Sequence, residues 1–428
     1  MPRSHPWRES LHNEVHARPP ERLQAPMALS HLALLTPPGE VAEAAREHLR
    51  ALLLARHLPL PAEGAGHLSV DLGGGLHLRW EQHTEFQTWT FRRPLDAGCD
   101  DFDDMPLTRL PQDWLSALPG QWLVGLHLLV LTAQDESGPR LVRRELDEDS
   151  LVGSAVMEGS GELMTDFRLH ADGLARFVLR VGSMNPRRLG RTVQRIVEIE
   201  TYRMMALLGL PAAREVGATL ADAERDLARV AGEIRSARRE REPELLRELT
   251  QLAGRVESLY AATHARFSAS AAYFELMQRR IDELHESGLP NLQTLREFMD
   301  RRLAPAMQTC AWAARRQQAL SERISRTSNL LRTRVEIEAQ EASQALLDDM
   351  NRRQKLQLMM QSAVEGLSVV AISYYGSGLI GYLAKGASLL GLPIKPELAI
   401  AVSVPLIALA TWRGVRRMHK VVHAGLKP

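Results

Sequence analysis

Two apolar stretches stand back to back near the C-terminus, Ala363–Ala384 (AVEGLSVVAISYYGSGLIGYLA) and Glu397–Trp412 (ELAIAVSVPLIALATW). A run of about 20 apolar residues, each rising about 1.5 Å, spans a hydrocarbon core about 30 Å thick. The pattern predicts a cytosolic body held on a lipid bilayer by a terminal transmembrane hairpin. The second stretch reaches only about 24 Å, so it draws on residues from Ile394 onward or on a locally thinned bilayer. Pro405 inside it is tolerated where neighbouring helices satisfy the freed carbonyl. Arg352, Arg353 and Lys355 precede the first stretch, and Arg413, Arg416, Arg417 and Lys420 follow the second. The connector offers only Lys385 and Lys395. This asymmetry predicts a multi-pass inner (plasma) membrane protein with both termini cytoplasmic. The competing reading is a buried hairpin of a soluble protein.

The remainder reads as folded cytosolic protein. Hydrophobic residues make up 45% and charged residues 25%, which argues against disorder. A formal net charge of +1 gives no basic field for nucleic acid, so none is expected as a partner. Cys99 and Cys310 are the only cysteines; they form neither a metal motif nor a disulfide framework. The N-terminal segment lacks the apolar core of a secretory signal.

Residues 1–185 read as an α+β domain. MALSHLALLT (Met27–Thr36) is apolar, and Gly39–Leu58 carries helical spacing at Val41, Ala45, Leu49 and Leu52 before Pro59 and Pro61 stop it. Leu76–Phe91 alternates as one or two strands after the turn at Gly73–Gly75. Trp122–Thr132 is a continuous apolar run of strand length. VGSAVMEG, ELMTDFRLH and ARFVLRVG follow at short spacing and predict an antiparallel meander; strand order is not readable. Residues 186–361 form a long-helix region, with helices over Arg187–Leu208, Ala212–Arg241, Glu244–Glu286 and Asn291–Met360 and breaks at Gly209–Pro211, Pro243 and Gly288–Pro290. Leu245, Leu249, Leu252, Val256 and Leu259 lie on one face. Leu320, Ile324, Leu331, Val335, Ala342, Leu346 and Met350 make a coiled-coil-like stripe on the last helix, which enters the first membrane stretch without a breaker. The hairpin then occupies 362–412 (363–384 and about 394–412), and 413–428 is a basic cytosolic tail.

Candidate chemistry is sparse. His12–Asn13–Glu14–Val15–His16 places two histidines at i, i+4, but a zinc protease needs its Glu directly after the first His. Asn13 stands there, and Pro19 and Pro20 prevent a long helix. A structural arm with Glu14 paired to Arg18 is the expected role. Asp96, Asp100, Asp101, Asp103 and Asp104, and separately Asp348 and Asp349, offer oxygen ligands for a divalent cation, against the plainer reading of solvated acidic segments. No phosphate loop, nucleophile elbow or Cys/His cluster appears, and Gly73–Gly75 suits an ordinary turn.

Asn13–Glu14–Val15–His16–Ala17–Arg18–Pro19, Trp80–Glu81–Gln82–His83–Thr84–Glu85–Phe86, Val364–Val369, Ile372–Tyr375 and Gly381–Tyr382–Leu383 resemble a family of uncharacterised bacterial membrane-anchored proteins (domain of unknown function 3422). That resemblance implies membrane location and no assigned activity. The architecture also resembles CorA-type magnesium channels, which end their first span in Gly-Met-Asn after an aromatic residue. Here Tyr375–Gly376 is followed by Ser377–Gly378, so the Asn expected to meet hydrated magnesium is missing.

Within the first stretch, Ser373, Ser377 and Gly381 repeat a small residue every fourth position and invite close helix packing. Glu365 sits near the inner end, where an ionised carboxylate needs water or a partner. Val369, Ile372 and Gly376 share its face and offer an apolar constriction. Either a packed hairpin or a pore accommodates them. The function expected is therefore a non-enzymatic, membrane-anchored interaction or structural protein, homo-oligomeric and without a cofactor. The alternative is a CorA-like oligomeric cation channel. No constellation of acid, base and nucleophile supports an enzyme.

Overall fold

The computed structural model describes residues 3–9, 11–12, 20–62, 64–95, 101–236, 241–389 and 395–424. They fall into two compact units, Met1–Ser328 and Asn329–Pro428. The first is built around β1 (Met27–Leu35), of which every residue but Leu35 is buried. A strand covered on both faces is apolar throughout rather than alternating, and MALSHLALL obeys this except at Ser30 and His31. The other strands are β2 (His67–Gly73), β3 (Leu76–Gln82), β4 (Phe86–Pro94), β5 (Gln121–Thr132), β6 (Val152–Val156), β7 (Gly161–Leu169), β8 (Ala175–Val181) and β9 (Ser287–Gly288). They form a nine-stranded sheet in the order β2-β3-β4-β1-β5-β8-β7-β6-β9. The β6-β7-β8 meander is antiparallel as expected, and β5 with β8 is the parallel pair.

Three helices, α1 (Glu40–Ala55), α2 (Gln112–Ser116) and α3 (Ser137–Glu145), belong to one side of the sheet. There Leu49, Leu52 and Leu53 of α1 meet Leu32, Leu78, Trp80, Trp89 and Phe91, and Leu141 and Val142 of α3 meet Ala28, Leu129 and Val178. The opposite face, carrying Ala33, Phe86 and Val124, packs on α4 (Pro186–Leu207) through Tyr202 and Met205. Asn185 caps α4 by accepting from Arg188 N at 2.9 Å, with Pro186 in the first turn. The chain entering β1 is laid directly over that turn: a Cβ on Gly190 would stand 1.8 Å from the Glu21 carbonyl oxygen, so only glycine fits.

α5 (Gly209–Ser236) and α6 (Glu242–Glu283) complete the helical layer, α6 packing against both α4 and α5. Leu245, Leu249, Leu252 and Val256 are buried along α6 as their spacing predicts. The short α7 (Leu295–Arg302) starts with a reciprocal Thr294–Glu297 capping box. It is followed by α8 (Ala304–Leu389), a single helix of 86 residues that continues into the second unit. Leu320, Ile324 and Leu331 of its stripe are buried, whereas Leu346 and Met350 are exposed. Between them Val335 is half-buried. α9 (Pro396–Ala424) runs through Pro405 and past Trp412, so the first part of the basic tail is helical. α8 and α9 are both long and apolar enough, by length and composition, to cross a membrane.

Candidate functional site

Strand pairing sets Ser30 of β1 directly opposite His127 of β5, and His127 beside Arg176 of β8. All three point to the α1–α3 side, where the sheet floors an open cavity of about 680 Å³. This is the volume range of small-molecule sites. Leu32, Leu34, Leu107, Leu115, Leu118 and Leu174 supply its apolar lining; His127, Asp172, Arg176 and Asp103 supply polar and charged groups.

His127 Nδ1 lies 2.8 Å from Ser30 Oγ, and Nε2 lies 3.7 Å from Asp172 Oδ2. A carboxylate facing Nε2 favours the proton there, so the Ser30 hydroxyl donates to Nδ1. Burial, reinforced by Arg176 and opposed by Asp172, brings the imidazole down to about 4, so it is neutral at physiological pH. The three residue types match a Ser-His-Asp triad, but the geometry does not serve one. Ser30 is 0% exposed and is absent from the cavity wall, leaving its oxygen no path to a substrate. What the arrangement offers is a rigid polar floor. Asp172 is fixed by accepting from Leu174 N at 2.9 Å. Arg176 pairs with Glu145 and lies 5.0 Å over the Phe102 ring.

A second buried histidine lies on the other face of the sheet. His31 Nε2 is 3.1 Å from Thr201 Oγ1, whose proton goes to the Val197 carbonyl at 2.8 Å. Nε2 therefore donates, and Nδ1 accepts from Thr90 Oγ1 at 2.8 Å. Burial first, then His83, lowers this imidazole to about 3. The crevice beside it encloses about 70 Å³, room for roughly two waters at about 30 Å³ each. Glu81, His83 and Phe86 of the Trp80–Phe86 motif line it. The motif also docks the β3–β4 hairpin on α6, through the Glu85–Arg266 pair at 2.5 Å and the Phe86–Tyr273 edge contact at 6.1 Å. Burial, with Glu85 adding to it, pushes the Tyr273 phenol up to about 12. These features hold layers together and leave little room for a ligand.

The residues singled out from sequence fall in several places. Asn13, Glu14, His16, Arg18 and Asp100 lie outside the described residues. Asp104 is held by Arg93 and by Arg109, whose Nε and Nη2 reach it at 2.8 and 2.7 Å. Asp101 accepts from the Asp103 amide at 3.1 Å. Asp348 and Asp349 are exposed on α8, Asp349 lying 3.5 Å from Arg353. Among the described residues, no group of three His, Cys, Asp or Glu side chains is placed to hold a metal ion. Glu365 is half-buried and accepts from Gln361 at 3.3 Å, and Val369 is half-buried. Ser373 and Ser377 are buried, and Gly376 and Gly381 face Ile407 and Ile400 of α9. Ile372 is half exposed and turned from that seam.

Apart from Asp103, the cavity residues were passed over in sequence, although a signal existed: Ser30 and His127 each interrupt an otherwise apolar strand. No curated protein and no solved structure matches the chain. One family model matches residues 3–422, nearly the whole sequence, and the chain belongs to that family, described as protein of unknown function (DUF3422).

Proposed function

We propose that this is an integral inner-membrane protein whose α8, from about Ala363, and α9 cross the bilayer as a hairpin. The α+β unit and the basic segment after Trp412 lie in the cytoplasm, and the molecule serves as an oligomeric, non-catalytic interaction protein. The observation that carries this reading is how the apolar side chains of these helices are distributed. Leu367, Tyr374, Tyr375, Leu379 and Tyr382 on α8, and Leu398, Val402 and Leu406 on α9, all stand exposed. Among the described residues, the covered side is a narrow seam made by Ser373, Gly376, Ser377, Gly381 and Ala384, with Ile400, Ser403 and Ile407 on α9. Apolar surface on every side but one small-residue seam suits lipid as the surrounding solvent. The Arg416 guanidinium lies 4.0 Å over the Trp412 ring, as expected of an interfacial pair.

Gly376 faces α9, and this supports a packed pair over a pore-lining face. Self-association belongs to the same reading. Leu346, Leu347, Met350, Leu356 and Met359 are exposed ahead of the span, more apolar surface than a water-facing helix carries.

Alkaline extraction tests the anchor: the protein should stay with the membrane pellet. In intact spheroplasts an impermeant thiol reagent should label Lys385→Cys and Lys395→Cys but not Asn329→Cys. Release into the alkaline supernatant would overturn the anchor. Cation flux in proteoliposomes that Glu365→Ala abolishes would replace the interaction role with the CorA-like channel.

A further inference from the structure

We infer that the cavity over β1, β5 and β8 is a binding site for a small organic cation: an ammonium group on an apolar body. The site lies within the first unit, and its argument is independent of how α8 and α9 are solvated.

The charge balance of the wall sets the sign of the ligand. Among the described residues Arg176 is the one cation on the wall, its Glu145 partner being shared with Arg144 at 2.8 Å, and His127 is neutral. Asp103 and Asp172 then remain, and no Lys or Arg pairs with either among the described residues. Asp172 already takes one backbone N–H on Oδ1 and faces His127 with Oδ2. A carboxylate accepts about four hydrogen bonds, so lone pairs stay available to a donor entering the cavity. A carboxylate or phosphate ligand would instead meet two like charges against the single guanidinium of Arg176, whose buried Nε has no hydrogen-bond partner among the described residues.

The aromatic wall agrees with this assignment. The Trp122 indole packs against the backbone of β5 and of the β7–β8 turn. A Cβ on Gly125 would stand 2.6 Å from its Cζ2, and one on Gly173 3.3 Å from its Cη2. Its N–H is spent on the Val124 carbonyl at 2.8 Å. The ring is therefore held against two glycines with its single donor occupied, and Trp122 stays 53% exposed on the wall that Asp172 also lines. An aromatic face next to an acid is what attracts an ammonium group, and indole is the strongest such platform. The six leucines of the lining supply the apolar contact that gives such a ligand affinity.

The test uses the full chain in detergent micelles and isothermal titration with three probes of one size: 2-phenylethylamine, 3-phenylpropionate and 2-phenylethanol. The amine should bind, and the carboxylate should not. Asp172→Asn keeps the oxygen that accepts from Leu174 and removes the charge; it should weaken the amine by about tenfold or more and bring it level with the alcohol. Thr108→Trp and Ser116→Trp, at exposed positions on the wall, should fill the cavity and abolish binding of every probe without altering the unfolding transition. Equal or tighter binding of the carboxylate would overturn the assignment. So would amine binding that survives both Asp172→Asn and the tryptophan variants, or no binding by any of the three. Membrane extraction is unaffected by these variants, so failure here leaves the anchor standing.

Discussion

The two units use the same apolar residue types under opposite conditions. In the first, Trp89 is fully buried, with the Trp80 and Trp114 rings at 6.3 and 5.4 Å, and charged side chains are neutralised at the surface, as in Arg316–Glu224 at 2.5 Å. In the second, Leu367, Tyr374 and Leu379 point outward, and the covered seam is made of serine and glycine. Water drives large side chains inward; lipid removes that drive and leaves close backbone packing to hold helices together. The difference teaches that the solvent of each unit can be read from which side chains its packing selects for burial. It can be broken by mutations that should matter in one unit and not in the other.

The largest effect is expected in the sheet core. Trp89→Ala removes a fully buried side chain and should cost about 3–5 kcal/mol, read as a lowered urea midpoint of the α+β unit by tryptophan fluorescence in micelles. Leu379→Ala, a comparable loss of apolar contact on α8, should leave that midpoint unchanged. Equal losses would mean that α8 near Leu379 is covered by protein rather than lipid.

Acid should separate the units next. His31 and His127 titrate at about 3 and about 4 in the folded chain against 6.5 unfolded. Their folded pKa values are depressed, so the unfolded chain binds protons that the folded chain refuses as pH falls below 6.5. Stability is complete above that value and declines towards pH 4 for His127 and pH 3 for His31, by a few kcal/mol in all, in order of magnitude. His31→Gln should flatten the decline between pH 7 and 5. An unchanged slope in that variant would show that His31 takes up its proton while folded.

A smaller contrast lies within one helix. Gly381 has Ile400 Cδ1 2.8 Å from its hypothetical Cβ, whereas Gly378 has nothing within 4 Å. Gly381→Val should therefore loosen the α8–α9 pair by about 1–2 kcal/mol, and Gly378→Val should not. Disulfide trapping between Gly376→Cys and Ile407→Cys reads the difference. Equal trapping in both valine variants would place the seam elsewhere.

Legibility followed burial. β5 was readable, and β1 was noticed as an apolar stretch, because strands covered on both faces are continuously apolar; α1, α4, α5 and α6 were readable within a few residues of their ends, Pro243 and Pro186 marking two starts, whereas the short α2 and α3 were not anticipated. β2 was missed: it is an edge strand in which only Leu72 is buried, so HLSVDLG carries little pattern. Strand order was out of reach because no local signal encodes the β5–β8 pairing. The cavity was missed for the same reason. Asp172 and Arg176 reach His127 only through that parallel register, so nothing near His127 in the chain announces them. The seam residues were legible because Ser373, Ser377 and Gly381 recur at a helical interval and need no distant partner to be noticed.

The smallest effect on folding, and the sharpest on assembly, concerns the part of α8 that precedes the apolar stretch. Leu346 and Met350 are exposed and precede the apolar stretch, so neither the core nor lipid accounts for them. Leu346→Gln with Met350→Gln should leave the urea midpoint within about 0.5 kcal/mol, as surface changes do. If a second copy covers this stretch, as proposed, the same pair should shift the detergent-solubilised particle to a smaller mass by light scattering. Apolar residues that mattered for neither folding nor mass would be single exposed leucines of the ordinary kind, and the comparison would then reduce to core against lipid. A mass change without a stability change is the combination that identifies a third environment on α8, an interface between copies.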